Sequence, residues 1–155
     1  MNKNITPEHR DVIIIGAGIS GIGAACHLQR ECRGKNYVIL EARDAIGGTW
    51  DLFRYPGIRS DSDLYTYEYD FKPWYGQPIA TAAEILHYLH EVVDENKLEP
   101  HIRFGHRVNR AVWSTEEALW TIEAKNKDGE IRRFTGNFLF MCQGYYNHQS
   151  GYRPQ

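Results

Sequence analysis

The sequence predicts an α/β fold: a parallel sheet with helices packed on it, to which a small antiparallel meander is added. Three observations predict it. Asp11-Val-Ile-Ile-Ile15 is a continuous β-branched run, the pattern of a strand buried on both faces of a parallel sheet. Glycines at 16, 18 and 21 follow at once and lead into a helical pattern, after which Tyr37-Val-Ile-Leu40 supplies a second buried run. Further on, Asp128-Gly129 separates two short strand-like segments, as a hairpin turn does.

Taken in order, residues 1–10 read as a polar lead-in and Asp11–Ile15 as the first strand. Ile19 to about Arg33 is a helix that ends near Gly34, and Tyr37–Leu40 is the second strand. Strand, glycine turn, helix and strand make a βαβ unit, whose crossover is right-handed almost without exception. From Arg43 to Pro78 regular periodicity disappears. The stretch is too rich in aromatics for disorder, which predicts an ordered, ligand-facing loop with one helical turn around Asp63–Tyr67.

Thr81-Ala-Ala-Glu84 is a capping box. It opens a helix to about Lys97 whose apolar positions Ile85, Leu86, Leu89, Val92 and Val93 share a face. Three strands are expected next, over about Ile102–Ser114, Trp120–Lys125 and Glu130–Thr135. A last apolar strand, Phe138–Cys142, ends at Gln143-Gly144.

Composition narrows the function classes. The 155 residues hold 42% hydrophobic and 25% charged side chains, an ordinary globular balance for one domain. A formal net charge of −2 lacks the basic excess of a nucleic-acid binder. The longest apolar stretch, Val12 to Ala25, is interrupted by glycines and too short to span a bilayer. Three cysteines with no Cys-x-x-Cys are no disulfide framework, and they point to reduced thiols and a cytoplasmic location.

The chemistry begins at Gly16-Ala-Gly18-Ile-Ser-Gly21, a G-x-G-x-x-G motif between a buried strand and a helix. Gly16 permits the tight turn, Gly18 lets the backbone approach a pyrophosphate, and Gly21 lets helix and strand pack closely. The helix N-terminus then faces the phosphates with free amides and the positive end of its dipole. Glu41, 20 residues after Gly21 at the end of the second strand, suits ribose hydroxyls and would repel a 2′-phosphate, so the site fits FAD or NAD over NADP. Together these make the domain a Rossmann-like FAD/NAD(P)-binding one. Ser20 reads equally as a pyrophosphate contact or as polar filler. Gly47-Gly48-Thr49-Trp50 adds a second close-approach turn, with Trp50 either a flat wall for a ring system or a core residue.

The run Gly47-Gly-Thr-Trp-Asp-Leu-Phe-Arg-Tyr-Pro-Gly-Ile-Arg-Ser-Asp61 resembles the class B flavoprotein monooxygenases, especially their Baeyer–Villiger branch and the similar ethionamide-activating type. The likeness continues through Ser62–Tyr67, Phe71–Trp74, Ile102–Val108 and Phe138–Tyr146. It implies a flavoprotein in which FAD stays in a first domain and NADPH binds a second one inserted after it. NADPH reduces the flavin, and the reduced flavin uses O2 to oxidise a small ketone or a sulfur or nitrogen centre.

By the same likeness Gly16, Gly18, Ser20, Gly21, Glu41, Gly48, Thr49, Trp50 and Val108 line the FAD site, Val108 beside the adenine. Arg59, Ser60 and Asp61 match a loop facing the nicotinamide side. Asp61 matches an aspartate that steadies an active-site arginine, and Tyr67 a tyrosine near the flavin. The resemblance also implies that residues 1–155 are only the N-terminal portion of the FAD-binding domain, cut short, with the nicotinamide-binding domain absent and no second glycine fingerprint present. The expectation is therefore weak FAD binding, no enzymatic NADPH oxidation by this chain alone, and sheet edges open to self-association.

Two other readings compete. A non-catalytic nucleotide-binding remnant would share the ancestry without the competence. A small NAD-dependent dehydrogenase would explain the glycine motif and Glu41 but not the Gly47–Asp61 run, and no Tyr-x-x-x-Lys pair is present. His87 and His90 lie on the helix after Thr81 and read as a solvated face, not as metal ligands.

Overall fold

The computed structural model describes residues 6–146, 150–151 and 153–155; the rest of the 1–155 domain reading lies outside the described residues. Eleven elements follow one another. Strand β1 (Glu8–Ile15), helix α1 (Ile19–Glu31) and strand β2 (Tyr37–Leu40) form the βαβ unit. Two single-turn helices, α2 (Thr49–Leu52) and α3 (Leu64–Tyr67), interrupt the long loop, and α4 (Ala82–Glu95) leads through a 3-10 turn to β3 (Ile102–Arg103). Strands β4 (Arg107–Ser114), β5 (Leu119–Lys125) and β6 (Ile131–Met141) are the last elements among the described residues.

The six strands form one sheet in the order β3-β2-β1-β6-β5-β4. The β3-β2-β1-β6 part is parallel, and β6-β5-β4 is antiparallel. Strand β6 belongs to both halves: its first six residues face β5, while Phe134–Met141 run alongside β1. The sequence reading split this segment at Gly136-Asn137, and the structure corrects it to one strand. Gly136 does not break the strand, because it pairs with Arg10 of β1 and Trp120 of β5, and Ile13 occupies the space a Cβ would need, with side-chain atoms 3.0 Å away. Other boundaries also move. The first strand begins at Glu8 within the expected lead-in, since β6 offers a pairing partner as far as Phe134. The expected Ile102–Ser114 strand divides at Phe104–His106, where Gly105 turns with φ +66°. The Asp128-Gly129 turn forms as read, with Gly129 at φ +84° and its amide bonded to Asn126 O.

Alternation along β1 and β2 assigns the two faces of the sheet. Val12, Ile14 and Ile39 pack with Ile22 and Ala25 of α1 and with Ile85, Leu89 and Val92 of α4. On the opposite face Ile13, Val38 and Leu40 pack against Ile122, Ala124 and Phe134, so the meander covers what no helix covers. All of these are essentially inaccessible to solvent. Burying an aliphatic side chain this fully is worth roughly 1.5–3 kcal/mol. The expected capping box is present, with Thr81 Oγ1 accepting from Glu84 N and Glu84 accepting from Thr81 N.

The order places β1 in the middle, with β2 on one side and β6 on the other. The chain therefore leaves the C-terminal end of β1 at a switch point, where open α/β sheets form a crevice for ligands.

Candidate functional site

The glycine turn is built by backbone crowding at that crevice. Gly16 has φ +102°, and a Cβ there would stand 2.5 Å from Cys142 O at the end of β6. At Gly21 a Cβ would overlap Gly16 O, so only glycine lets α1 start so close to β1. Gly18 differs: a Cβ there would meet only Gly48, at 3.7 Å, an ordinary van der Waals contact. Gly18 is the N-cap of α1 and makes no side-chain cap bond. The first amides of the helix are thus presented at an open surface, with Ser20 exposed beside them.

Glu41 closes the crevice. Its carboxylate is buried; Oε2 accepts from Ala17 N at 2.7 Å and Oε1 from Arg43 N at 2.8 Å. The side chain expected to meet ribose hydroxyls thus lies directly against the glycine turn. A carboxylate has about four lone-pair directions, so two such bonds leave acceptor capacity on each oxygen. Glu41 O also accepts from His106 N, which carries the chain past Glu41 into β4. Val108 follows there, half-buried against the Leu40 side of the sheet.

The second glycine turn lies against the first. Gly47 N donates to Ala17 O at 2.9 Å, and Gly48, at φ +52°, turns its α-carbon towards Gly18. Gly47 needs its freedom too, because at φ +107° a Cβ would strike Leu86 of α4. Thr49 and Trp50 open α2, where a plain loop was expected; Gly48 caps it by accepting from Asp51 N and Leu52 N.

Trp50, Asp61 and Tyr67 come together. Burial pushes the Tyr67 phenol up; the hydrogen bond from the Trp50 side chain opposes this, and the nearby Tyr145 and Asp61 add to it. The Tyr146 phenol is pushed up as well, first by its hydrogen bond with Tyr145 and also by Asp61. Asp61 is thus an exposed carboxylate facing a group of phenols. Ser60 is placed differently: it is buried, and its hydroxyl donates to Ser62 O and accepts from Ser62 N within the loop. Arg59 is exposed and its backbone bridges to Thr81.

Five contributors carry no signal of their own in the sequence. Ala17 acts through its amide, which no side-chain pattern reveals. Arg43 and Asp51 form an ion pair across the second glycine turn. Tyr145 and Tyr146, which enter the sequence only as part of a likeness, lie with ring centroids 4.6 Å apart and planes tilted by 36°, near Asp61. Within the aromatic loop Tyr69 stacks on Phe71 and Tyr88 and donates to Ile19 O, and Gly23 leaves it room on α1.

A cleft of about 660 Å³ lies elsewhere, between Phe71–Gly76 and α4. Its carboxylates are already engaged, Glu84 by Thr81 and Glu91 by Lys72 and His87, so it lacks converging free polar groups. Among the described residues no group of three or more His, Cys, Asp or Glu could hold a metal, and no helix is long and apolar enough to cross a membrane.

The profile of the NAD(P)-binding Rossmann-like domain family matches residues 14–75, which contain both glycine turns and Glu41. The chain is 54% identical over 149 residues to the FAD-containing monooxygenase EthA of Mycolicibacterium smegmatis, covering 96% of this chain and 30% of that protein. It is 46% identical over 149 residues to the putative FAD-containing monooxygenase MymA of Mycobacterium tuberculosis, covering 95% and 30%. Among solved structures, cyclohexanone monooxygenase from Rhodococcus sp. Phi1 bound to NADP+ superposes with a TM-score of 0.77 at 34% identity, over 90% of this chain and 26% of that one. An oxidised steroid monooxygenase bound to NADP gives 0.77 and 34% over 88% and 26%. The chain spans about 30% of the length of the curated relatives it matches. Over nearly its whole length the chain is similar to a stretch of about 30% of these FAD-containing monooxygenases, and it shares the fold of the matching stretch of cyclohexanone monooxygenase.

Proposed function

We propose that residues 1–155 form an FAD-binding domain and act as the flavin half-site of an NADPH- and O2-dependent monooxygenase. One observation carries the reading: Glu41 Oε2 is 2.7 Å from Ala17 N, so the ribose-type carboxylate and the phosphate-type turn share one crevice. The residues fit the adenosine diphosphate part of FAD. The first amides of α1, beside Gly18 with its bare α-carbon, receive the pyrophosphate, with Ser20 in reach. Glu41 receives the ribose, Val108 flanks the adenine, and Gly48 with Thr49 lets the second turn lie alongside the ligand. Trp50 and Tyr67 form an aromatic wall beyond them, and Arg59, Ser60 and Asp61 belong to the loop on the nicotinamide side.

When bound, FAD supplies hydride acceptance from NADPH and the transfer of one O2 oxygen atom to a substrate, the other leaving as water. The chain's own share is to bind, orient and exclude water. Asp61 steadies a cationic group of the nicotinamide-binding region, which in this reading lies in the part of the relatives that this chain does not span. The substrate is a small ketone or a soft sulfur or nitrogen compound, and the location is cytoplasmic. Self-association is part of the proposal. Phe138, Phe140 and Met141 are exposed on the part of β6 that β5 leaves unpaired, which is an adhesive edge.

Purifying the chain and titrating it with FAD, followed by the visible spectrum, tests the reading. Saturable uptake of yellow flavin is expected, without enzymatic NADPH oxidation. A chain that stays colourless at millimolar FAD is the non-catalytic remnant, and one that binds NAD in preference to FAD is the dehydrogenase.

A further inference from the structure

We propose that Arg43 and Asp51 form a positioning clamp that sets how closely the second glycine turn approaches the first, and thereby sets the affinity for FAD. The inference rests on the FAD reading above and adds residues to it. Arg43 starts from a fixed base: its amide donates to Glu41 Oε1 at 2.8 Å, and its carbonyl accepts from Gly105 N at 2.9 Å. From there the guanidinium reaches back over the turn. Nη1 donates to Gly48 O at 3.1 Å, and Nη2 pairs with Asp51 Oδ2. The same Gly48 carbonyl accepts the Asp51 and Leu52 amides of α2. Its α-carbon faces Gly18, the residue that opens α1.

One residue thus ties the ribose-side carboxylate, through its backbone amide, to the carbonyl that caps α2, through its guanidinium. Gly48 at φ +52° gains no support from a side chain of its own, so its orientation depends on what holds its carbonyl. Asp51 is only 12% exposed and keeps the guanidinium in place, while Arg54, at 76%, approaches its other oxygen from solvent. Arginine suits this task because its planar fork makes two directed bonds at once, which a lysine ammonium cannot hold in the same geometry. Arg43 and Asp51 need not touch the ligand; they act through Gly48.

The test compares Arg43→Met, Asp51→Asn, the double variant and Arg54→Met, each in the full chain. Affinity for FAD is read by equilibrium titration, and amide hydrogen exchange over residues 48–53 is read without FAD. Each of the first two variants should weaken FAD on the order of tenfold, the size typical of groups that orient ligand contacts. The double variant should be no weaker than the worse single one, since both changes remove one device. Exchange at Asp51 and Leu52 should quicken without FAD present, and Arg54→Met should leave affinity within about twofold. If Arg43→Met fails to fold by far-UV circular dichroism, Asp51→Asn, which keeps shape, decides. Wild-type-like FAD affinity in Arg43→Met or Asp51→Asn, or losses that multiply in the double variant, would overturn the clamp while leaving the FAD reading intact. An unmutated chain that takes up no FAD overturns the parent reading instead, and the clamp with it.

Discussion

The Glu41 carboxylate and the Ala17 amide meet at 2.7 Å, joining the end of β2 to the turn after β1. With Arg43 N on its other oxygen, Glu41 serves one buried and one part-buried amide as well as a prospective ribose. Replacing it by glutamine puts an NH2 against one of two donors. We expect Glu41→Gln to lose roughly 1–3 kcal/mol of stability without ligand, the cost of an orphaned buried donor, and to weaken FAD as well. Urea unfolding of the ligand-free chain checks this. An unchanged midpoint would show that the bond to Ala17 contributes nothing to the fold.

Gly18 and Gly21 should separate folding from binding. Gly21→Ala forces a methyl into Gly16 O and is expected to abolish the folded state or cost more than about 3 kcal/mol. Gly18→Ala meets only Gly48, in ordinary contact, and should leave stability within about 1 kcal/mol while reducing FAD affinity, because its methyl adds bulk where the two turns and the pyrophosphate would meet. Thermal melts beside FAD titrations give the comparison. Equal effects of the two substitutions on stability would contradict it.

Alkaline pH should destabilise the chain ahead of ordinary surface titration. Burial pushes the Cys26 thiol from 9.0 up to about 11, and burial likewise moves Tyr37 from 10.0 to about 12. Both groups hold their protons more tightly folded than unfolded. Their contribution is therefore complete below pH 9 and is lost as pH rises towards 11–12. The slope of stability against pH between 9 and 11 should flatten in Cys26→Ala, measured by urea midpoints. An unaltered slope would remove Cys26 from the account.

Thr81→Ala tests the cap of α4 at a distance from the site. It removes the acceptor of Glu84 N and should cost about 1 kcal/mol with FAD affinity preserved. The Glu84 carboxyl is held below its usual range by its bonds to Thr81. Its part of the cap is thus present above the ordinary carboxylate pKa and fades as pH falls below it. Stability curves of the variant and the parent should converge in acid, and parallel curves would contradict this.

Phe140→Lys addresses the open flank of β6. Light scattering should show less association than the parent at equal concentration, since a charge on an unpaired edge disfavours strand addition. Equal association would place the contact elsewhere.

The βαβ unit, the capping box and the hairpin turn were legible because each rests on local chemistry: β-branched runs, a Thr–Glu spacing, an Asp-Gly pair. The continuity of β6 was not, because Gly136 reads as a break until Ile13 is seen to fill its place. The short α2 was hidden for a similar reason, since a glycine N-cap carries no cap signature. In the site, Gly16, Gly18, Gly21, Glu41 and Gly48 were legible as types at fixed spacing. The roles of Ala17 and Arg43 were not, because an amide has no sequence signal and Arg43 matters only once the chain folds back to bring Gly48 beneath it. Ser60 shows the opposite limit: a residue singled out by resemblance turns its hydroxyl into its own loop.

The central claim is that the first amides of α1 and the Glu41 carboxylate together hold the adenosine diphosphate part of FAD. Amide NMR of the labelled chain during titration with ADP, which lacks the flavin ring, tests it most directly. Saturable shifts at Gly18, Ser20 and Gly48, lost in Gly18→Ala and displaced by FAD, are the predicted result. ADP and FAD titrations that leave those amides unmoved, or move only residues remote from the two glycine turns, would contradict it.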